Sequence, residues 1–128
     1  MAKGRPAVVL VEDDEGLRDA LAGVLTVSGF QVASFSNTEA AVQAAPWATA
    51  ACLIVDIRLP GMSGLELLQC LRGRGDAMPA IVLTADTSRV TRDAAMRLGV
   101  SAYLEKPVRG RVVAAAVREA ISKRNTGL

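Results

Sequence analysis

The sequence contains no histidine. It therefore has no imidazole to act as nucleophile, general base or metal ligand, and any chemistry that needs one must borrow it from a partner. Cysteine is scarce: Cys52 and Cys70 lie within apolar patterns and lack metal-type spacing. They read as two buried, reduced thiols of a cytoplasmic protein rather than a disulfide. No apolar run approaches the roughly 20 residues needed to span a bilayer. The opening stretch Met1-Ala2-Lys3-Gly4-Arg5-Pro6 runs into a strand with no signal-peptide core. A cytoplasmic protein without membrane contact is expected. An excess of one charge is missing too, with 15 basic against 13 acidic residues and a net charge of +2. That leaves no electrostatic footprint for nucleic acid, although Arg109, Arg111 and Arg118 make the C-terminal end locally basic. Neither Gly-x-Gly-x-x-Gly nor the P-loop pattern occurs, which argues against a nucleotide site.

What is present is a globular composition, 51% apolar and 22% charged over 128 residues. The expectation is a single domain over residues 1–128 with its core at about 7–122. Apolar runs alternate with helical patterns five times. Ala7 to Val11 reads as a buried strand, followed by Leu17, Leu21, Val24 and Leu25 at helical spacing and a stop at Gly29. Phe30, Val32 and Phe35, with polar residues between them, read as an edge strand. Ser36-x-x-Glu39 reads as a capping box opening a short helix that ends before Pro46. Ala51 to Val55 is the third strand, and Ser63-x-x-Glu66 a second capping box. Ala80 to Leu83 is the fourth strand, with Thr87 or Ser88 capping the helix that Gly99 ends. Ala102 to Leu104 is the fifth strand, and Val113, Val117, Ala120 and Ile121 share one face of the last helix.

Five β–α units of this length imply parallel strands with right-handed helical crossovers. The fold class is α/β: a five-stranded parallel sheet, doubly wound and flavodoxin-like, of order 2-1-3-4-5 if the second strand is an edge. Its switch point lies between the first and third strands, and ligands bind there beyond the carboxyl ends. Glu12, Asp13 and Asp14 leave the first strand at that point and Asp56 leaves the third.

Carboxylates converging without a base beside them call for a cation. Oxygen ligands and the lack of histidine favour Mg²⁺, with Asp13 and Asp56 as direct ligands, Glu12 through water and the backbone carbonyl of Arg58 as a further donor. A carboxylate can also act as a nucleophile and form an aspartyl-phosphate. Lys106, after the fifth strand, can neutralise one phosphoryl oxygen; the Thr84 hydroxyl and the Ala85 amide, after the fourth, can donate to others. Each feature has an ordinary reading: a solvated acidic loop with Asp14 as a cap, a turn at Asp56 before Pro60-Gly61, a packing role for Tyr103, Trp47, Met62 and Met96, a solvated helix start at Arg109 and Arg111. Their joint placement at successive strand ends is what points to phosphoryl chemistry.

Four segments carry a family resemblance over about residues 7–122: Val11-Glu12-Asp13-Asp14, Asp56 to Gly64 with Pro60 between, Leu83-Thr84-Ala85 and Tyr103-Leu104-Glu105-Lys106-Pro107. In these the chain resembles the receiver domain of bacterial two-component response regulators. The resemblance implies that Asp56 takes phosphate from the phosphohistidine of a sensor histidine kinase or phosphotransfer protein, with Glu12 and Asp13 holding Mg²⁺. It also implies that Thr84 moves toward the phosphoryl group, that Tyr103 rotates inward, and that the Lys106-Pro107 bond is cis. The surface of the fourth helix, fifth strand and fifth helix would then switch to regulate an effector such as transcription, with homodimerisation on phosphorylation as one form of output.

Glu12 stands where an aspartate is frequent. Arg58 and Asp86 occupy positions that tune phosphoryl lifetime in receivers, and a pair between them would partly cover the site. Such a domain catalyses its own phosphorylation but is primarily a signalling protein. The alternative reading is a receiver-like interaction module that works without phosphate. A phosphohydrolase of the haloacid-dehalogenase type is disfavoured because Arg58 replaces the acid/base carboxylate two positions after the nucleophile. The tail from Lys123 to Leu128 is too short for an effector domain, so the chain is a stand-alone receiver or a part of a longer regulator.

Overall fold

The computed structural model describes residues 4–126. The reading of the first residues as a leaderless start, and of Gly127 and Leu128 as the end of a short tail, falls partly outside them. Five strands alternate with five helices: β1 (Ala7–Val11), α1 (Glu15–Val27), β2 (Gln31–Phe35), α2 (Thr38–Ala44), β3 (Ala50–Asp56), α3 (Gly64–Gly73), β4 (Ala80–Thr84), α4 (Arg89–Arg97), β5 (Ala102–Glu105) and α5 (Gly110–Thr126). The strands form one parallel sheet in the order β2-β1-β3-β4-β5. Fold class, strand order and edge position are those expected from the alternation of apolar runs.

Continuous apolar runs suit β1, β3 and β4 because successive side chains point to opposite faces and both faces are covered. Val9, Val11, Leu53, Val55 and Val82 pack with Leu67, Leu68 and Leu71 of α3, Ala41 of α2 and Ala95 of α4. Val8, Leu10, Cys52, Ile54, Ile81 and Leu83 pack on the other face with Leu21 and Leu25 of α1 and Val113 and Val117 of α5. Each valine or leucine fully removed from water contributes about 1.5–3 kcal/mol, so these two layers dominate the folding energy. Strand β2 is only partly buried, as an edge should be. Among the described residues no helix is long and apolar enough to cross a membrane.

Three of the four expected caps hold. Asp14 accepts from Leu17 N at 2.9 Å at the start of α1, and Ser88 rather than Thr87 caps α4. Ser63 and Glu66 form the reciprocal capping box of α3. The capping box expected at Ser36 and Glu39 does not form. Asn37 is the cap, accepting from Ala40 N at 2.8 Å, which places Glu39 one position early for a box; its carboxylate turns instead to Met62 N at 2.9 Å.

The expectation of two buried thiols is half right. Cys52 is fully buried in β3, and burial pushes its thiol up to about 12. Cys70 is exposed because Leu67, Leu68 and Leu71 set the inward face of α3 and leave position 70 outside it. A maleimide titration of the folded protein should therefore modify Cys70 and spare Cys52, with the second thiol appearing only in denaturant. Stoichiometric labelling of both in the native state would contradict this packing.

Candidate functional site

Parallel register brings the chemistry together. Val11 lies opposite Val55, Asp56 opposite Leu83, and Thr84 opposite Glu105. Glu12, Asp56, Thr84 and Lys106 consequently leave neighbouring strands at the same end of the sheet. The backbone holds them there: Lys106 N donates to Thr84 O at 2.9 Å and Glu12 N to Phe35 O at 3.0 Å. The Lys106-Pro107 peptide bond is cis.

Lys106 Nζ lies 2.6 Å from Asp56 Oδ2 and 2.7 Å from Glu12 Oε1. Asp56 is buried, and its other oxygen, Oδ1, accepts from Arg58 N at 3.0 Å. Glu12 is completely buried; its Oε2 accepts from Asp14 N at 3.0 Å. Its Oε1 pairs with the Lys106 ammonium. Burial pushes the Glu12 carboxyl upward against the opposing pull of Lys106 and the Asp14 amide. Burial also opposes the charge on Lys106, but its bonds to Asp56 and Glu12 prevail and raise it above the ordinary lysine range.

Asp13 is exposed beside them, and carboxylate oxygens of Glu12, Asp13 and Asp56 all lie within 4.8 Å of one another. Three carboxylates share one ammonium, which leaves an excess of negative charge. A hard divalent cation fits this donor set: the carboxylate oxygens converge, and no histidine or thiolate competes. Lys106 and the Asp14 amide draw Glu12 inward.

The loop that follows Asp56 is tightly constrained. A side chain on Gly64 would place its Cβ 2.1 Å from the Asp56 carbonyl oxygen, so only glycine lets α3 start this close to the acidic residue. Gly64 N donates to Ile57 O at 3.1 Å.

Comparison with known proteins agrees with this arrangement. The family described as the response regulator receiver domain matches residues 8–118. The chain belongs to the response regulator receiver family. The transcriptional regulatory protein FixJ of Azorhizobium caulinodans is 36% identical over 116 residues, covering 91% of this chain and 55% of that protein. The sensory transduction protein RegX3 of Mycobacterium tuberculosis is 33% identical, covering 91% of this chain and 51% of that one. This receiver thus spans about half the length of the curated relatives it matches. Among solved structures, a CheY-like receiver from Methanospirillum hungatei superposes with a TM-score of 0.86 at 23% identity, over 95% of this chain and 98% of that one. Full-length FixJ from B. japonicum gives 0.85 at 28% identity, over 97% and 61%.

Beside the acidic cluster the receiver has a second polar centre at Asp86. Arg58 donates to Asp86 Oδ2 from Nη2 at 2.7 Å and from Nε at 3.1 Å. Thr91 Oγ1 donates to the same oxygen at 3.1 Å, and Ser88 N donates to Oδ1 at 2.8 Å. The Asp86 amide donates to Thr84 Oγ1 at 3.0 Å, and the Tyr103 hydroxyl donates to the Asp86 carbonyl at 3.0 Å. Arg92 lies over the Tyr103 ring, 5.7 Å from its centroid. The pair expected between Arg58 and Asp86 is therefore formed, and Thr84 and Tyr103 meet at the same residue. Ala85 is exposed, directly after β4. Thr91 was not legible as a partner, because a threonine one turn into a helix carries no sequence signal for a loop carboxylate. Arg18, whose Nη1 donates to Glu12 O at 2.9 Å, was likewise missed.

The Ser88 amide and the Arg58 guanidinium hold the Asp86 carboxyl well below the usual carboxylate range. A carboxyl depressed on folding stabilises the protein above its unfolded pKa of about 3.9 and loses that contribution as pH falls toward the folded value. Thermal midpoints should therefore favour the wild type over Asp86→Asn at about pH 6, with the gap closing toward about pH 2. A gap that stays constant through the acid range would contradict this assignment.

Proposed function

We propose that this chain is a single phosphoacceptor domain that takes a phosphoryl group on Asp56 from the phosphohistidine of a sensor histidine kinase or phosphotransfer protein. The observation that carries the reading is the shared ammonium: Lys106 Nζ sits 2.6 Å from Asp56 and 2.7 Å from Glu12, inside a cluster with one more carboxylate than those two. Mg²⁺ suits the cluster, with Asp13 and Asp56 as direct ligands, Glu12 acting through water and the Arg58 carbonyl as a further donor, and when bound it supplies positive charge to the phosphoryl oxygens.

The chain's own groups account for the rest. The Arg58 amide and the Lys106 ammonium hold the two oxygens of Asp56, so the carboxylate is oriented before a donor arrives. A carboxylate lone pair forms the new O–P bond as the donor's P–N bond breaks, and the imidazole leaves with that electron pair. Because the sequence has no histidine, the donor imidazole belongs to the partner. Lys106 then neutralises one phosphoryl oxygen, and the Thr84 hydroxyl, whose oxygen already accepts from Asp86 N, donates its hydrogen to a second. The Ala85 amide serves the third.

Moving Thr84 toward the phosphoryl group draws its oxygen away from the Asp86 amide, and Asp86 is also where the Tyr103 hydroxyl rests. The switch is the inward rotation of Tyr103, which changes the surface formed by α4, β5 and α5 and regulates an effector, through homodimerisation or direct contact. The protein works in the cytoplasm as a signalling domain that catalyses its own phosphorylation. Nucleic-acid binding is not assigned to this domain.

Acetyl phosphate with Mg²⁺ should add one phosphate to the intact mass of the wild type and none to Asp56→Asn. The absence of an adduct, or an adduct that survives in Asp56→Asn, would sink the mechanism. Arg58 is mostly exposed beside the site, so its removal opens the phosphoryl group to water. Arg58→Ala should speed loss of the phosphoryl group by about tenfold, equivalent to ~1.4 kcal/mol in barrier. Unchanged lifetimes in both Arg58→Ala and Asp86→Ala would remove the Arg58–Asp86 pair from that role.

A further inference from the structure

The first turn of α2 does not touch the acidic cluster, yet it holds the loop that leaves it. Thr38 is completely buried, and its Oγ1 donates to the Met62 carbonyl at 2.7 Å. The neighbouring residue supplies the complement: Glu39 Oε2 accepts from Met62 N at 2.9 Å. Both backbone polar groups of one loop residue are thus bound by two consecutive side chains from a different helix.

The fit at this point is close. Gly61 has φ +73°, and a Cβ there would come within 2.6 Å of Glu39 Oε2. Thr38 and Ala41 are the only buried residues of the helix, so α2 offers little apolar surface and spends its polar first turn on the loop.

That loop runs from Asp56 to Gly64 and is short of slack. Asp56 Oδ1 binds Arg58 N, Gly64 N binds Ile57 O, and Pro60 fixes one φ angle in between. Leu59 is buried as well. With both ends tied to Asp56 and its neighbour, a shift of Met62 has few dihedrals in which to be absorbed before it reaches the Arg58 carbonyl.

We propose that Thr38 and Glu39 are positioning residues of the phosphoryl-transfer site, acting through Met62 to keep the Arg58 carbonyl and Asp56 in the geometry that a divalent cation and a phosphoryl group require. The proposal rests on the reading of Asp56 as phosphoacceptor. It predicts that the hydrogen-bonding capacity of these side chains matters, and that neither the charge of Glu39 nor the methyl group of Thr38 does.

The test compares Thr38→Val and Glu39→Ala, which lose the bonds, with Thr38→Ser and Glu39→Gln, which retain them. Mg²⁺ affinity by calorimetry and phosphorylation rate with acetyl phosphate by intact mass are read alongside thermal midpoints. Thr38→Val and Glu39→Ala should each weaken Mg²⁺ binding and slow phosphorylation by about fivefold, while the conservative pair stays within about twofold of wild type. Glu39 is exposed, so its alanine variant remains a fair test even if Thr38→Val fails to fold. A Glu39→Ala protein with a lowered midpoint but unchanged Mg²⁺ affinity and rate would show a merely structural staple and overturn the proposal. Equal losses in Glu39→Gln and Glu39→Ala would overturn it too. A wild type that takes up neither Mg²⁺ nor phosphate would overturn the underlying functional reading itself, an outcome distinct from a working wild type matched by Glu39→Ala.

Discussion

One ammonium held between two buried carboxylates is the constraint around which the rest of this receiver is organised. Lys106 cannot neutralise Glu12, Asp56 and the adjacent Asp13 together. Removing the lysine from such an arrangement would strand buried negative charge, which typically costs several kcal/mol. Adding a second base would halve the excess negative charge that attracts a cation. The balance lies between a salt bridge that stabilises the fold and a vacancy in charge that a ligand can fill. Burial sharpens it, because the low-dielectric surroundings that raise the Glu12 carboxyl also strengthen every interaction a cation would make there.

Such a balance needs positional accuracy, and the sheet supplies it. The strands are parallel, so their carboxyl ends emerge together, and β1, β3, β4 and β5 each deliver one or more polar groups to the same edge. The apolar layers on either face lock the register, since a slip of one residue would turn Val9 and Val11 into the opposite layer. Gly64 then lets α3 begin against the Asp56 carbonyl, and the first turn of α2 grips Met62 from the side. The loop carrying the acidic group is thereby restrained at its start, its middle and its end.

Strand order, edge position and the meeting of Glu12, Asp13, Asp56, Thr84 and Lys106 were legible because they follow from period and topology, which a sequence states directly. The Arg58–Asp86 pair was legible through the family resemblance, which marks the positions two residues beyond Asp56 and Thr84. What escaped depends on three-dimensional proximity without periodic signal. Glu39 has the spacing of a capping partner to Ser36, but Asn37 competes for the cap, and the same carboxylate finds Met62 instead. Thr38 carries no periodic signal, and its complete burial follows only from where the β3–α3 loop passes. Cys70 sits in an apolar stretch yet points outward, because helical phase rather than local hydropathy decides exposure.

Asp86 spends its three polar groups in three directions: its amide on Thr84, its carbonyl on Tyr103, and its carboxylate on Arg58, Ser88 and Thr91. A side-chain replacement at this position can alter only the last set directly, while the first two persist as long as the turn keeps its shape. The residue therefore separates two heritable properties on one scaffold. Drift in the side chain can rearrange the contacts with Arg58, Ser88 and Thr91 while the backbone keeps Thr84 and Tyr103 joined through one residue. On the proposed function, a lineage can thus change how long a signal lasts without first rebuilding how it is transmitted.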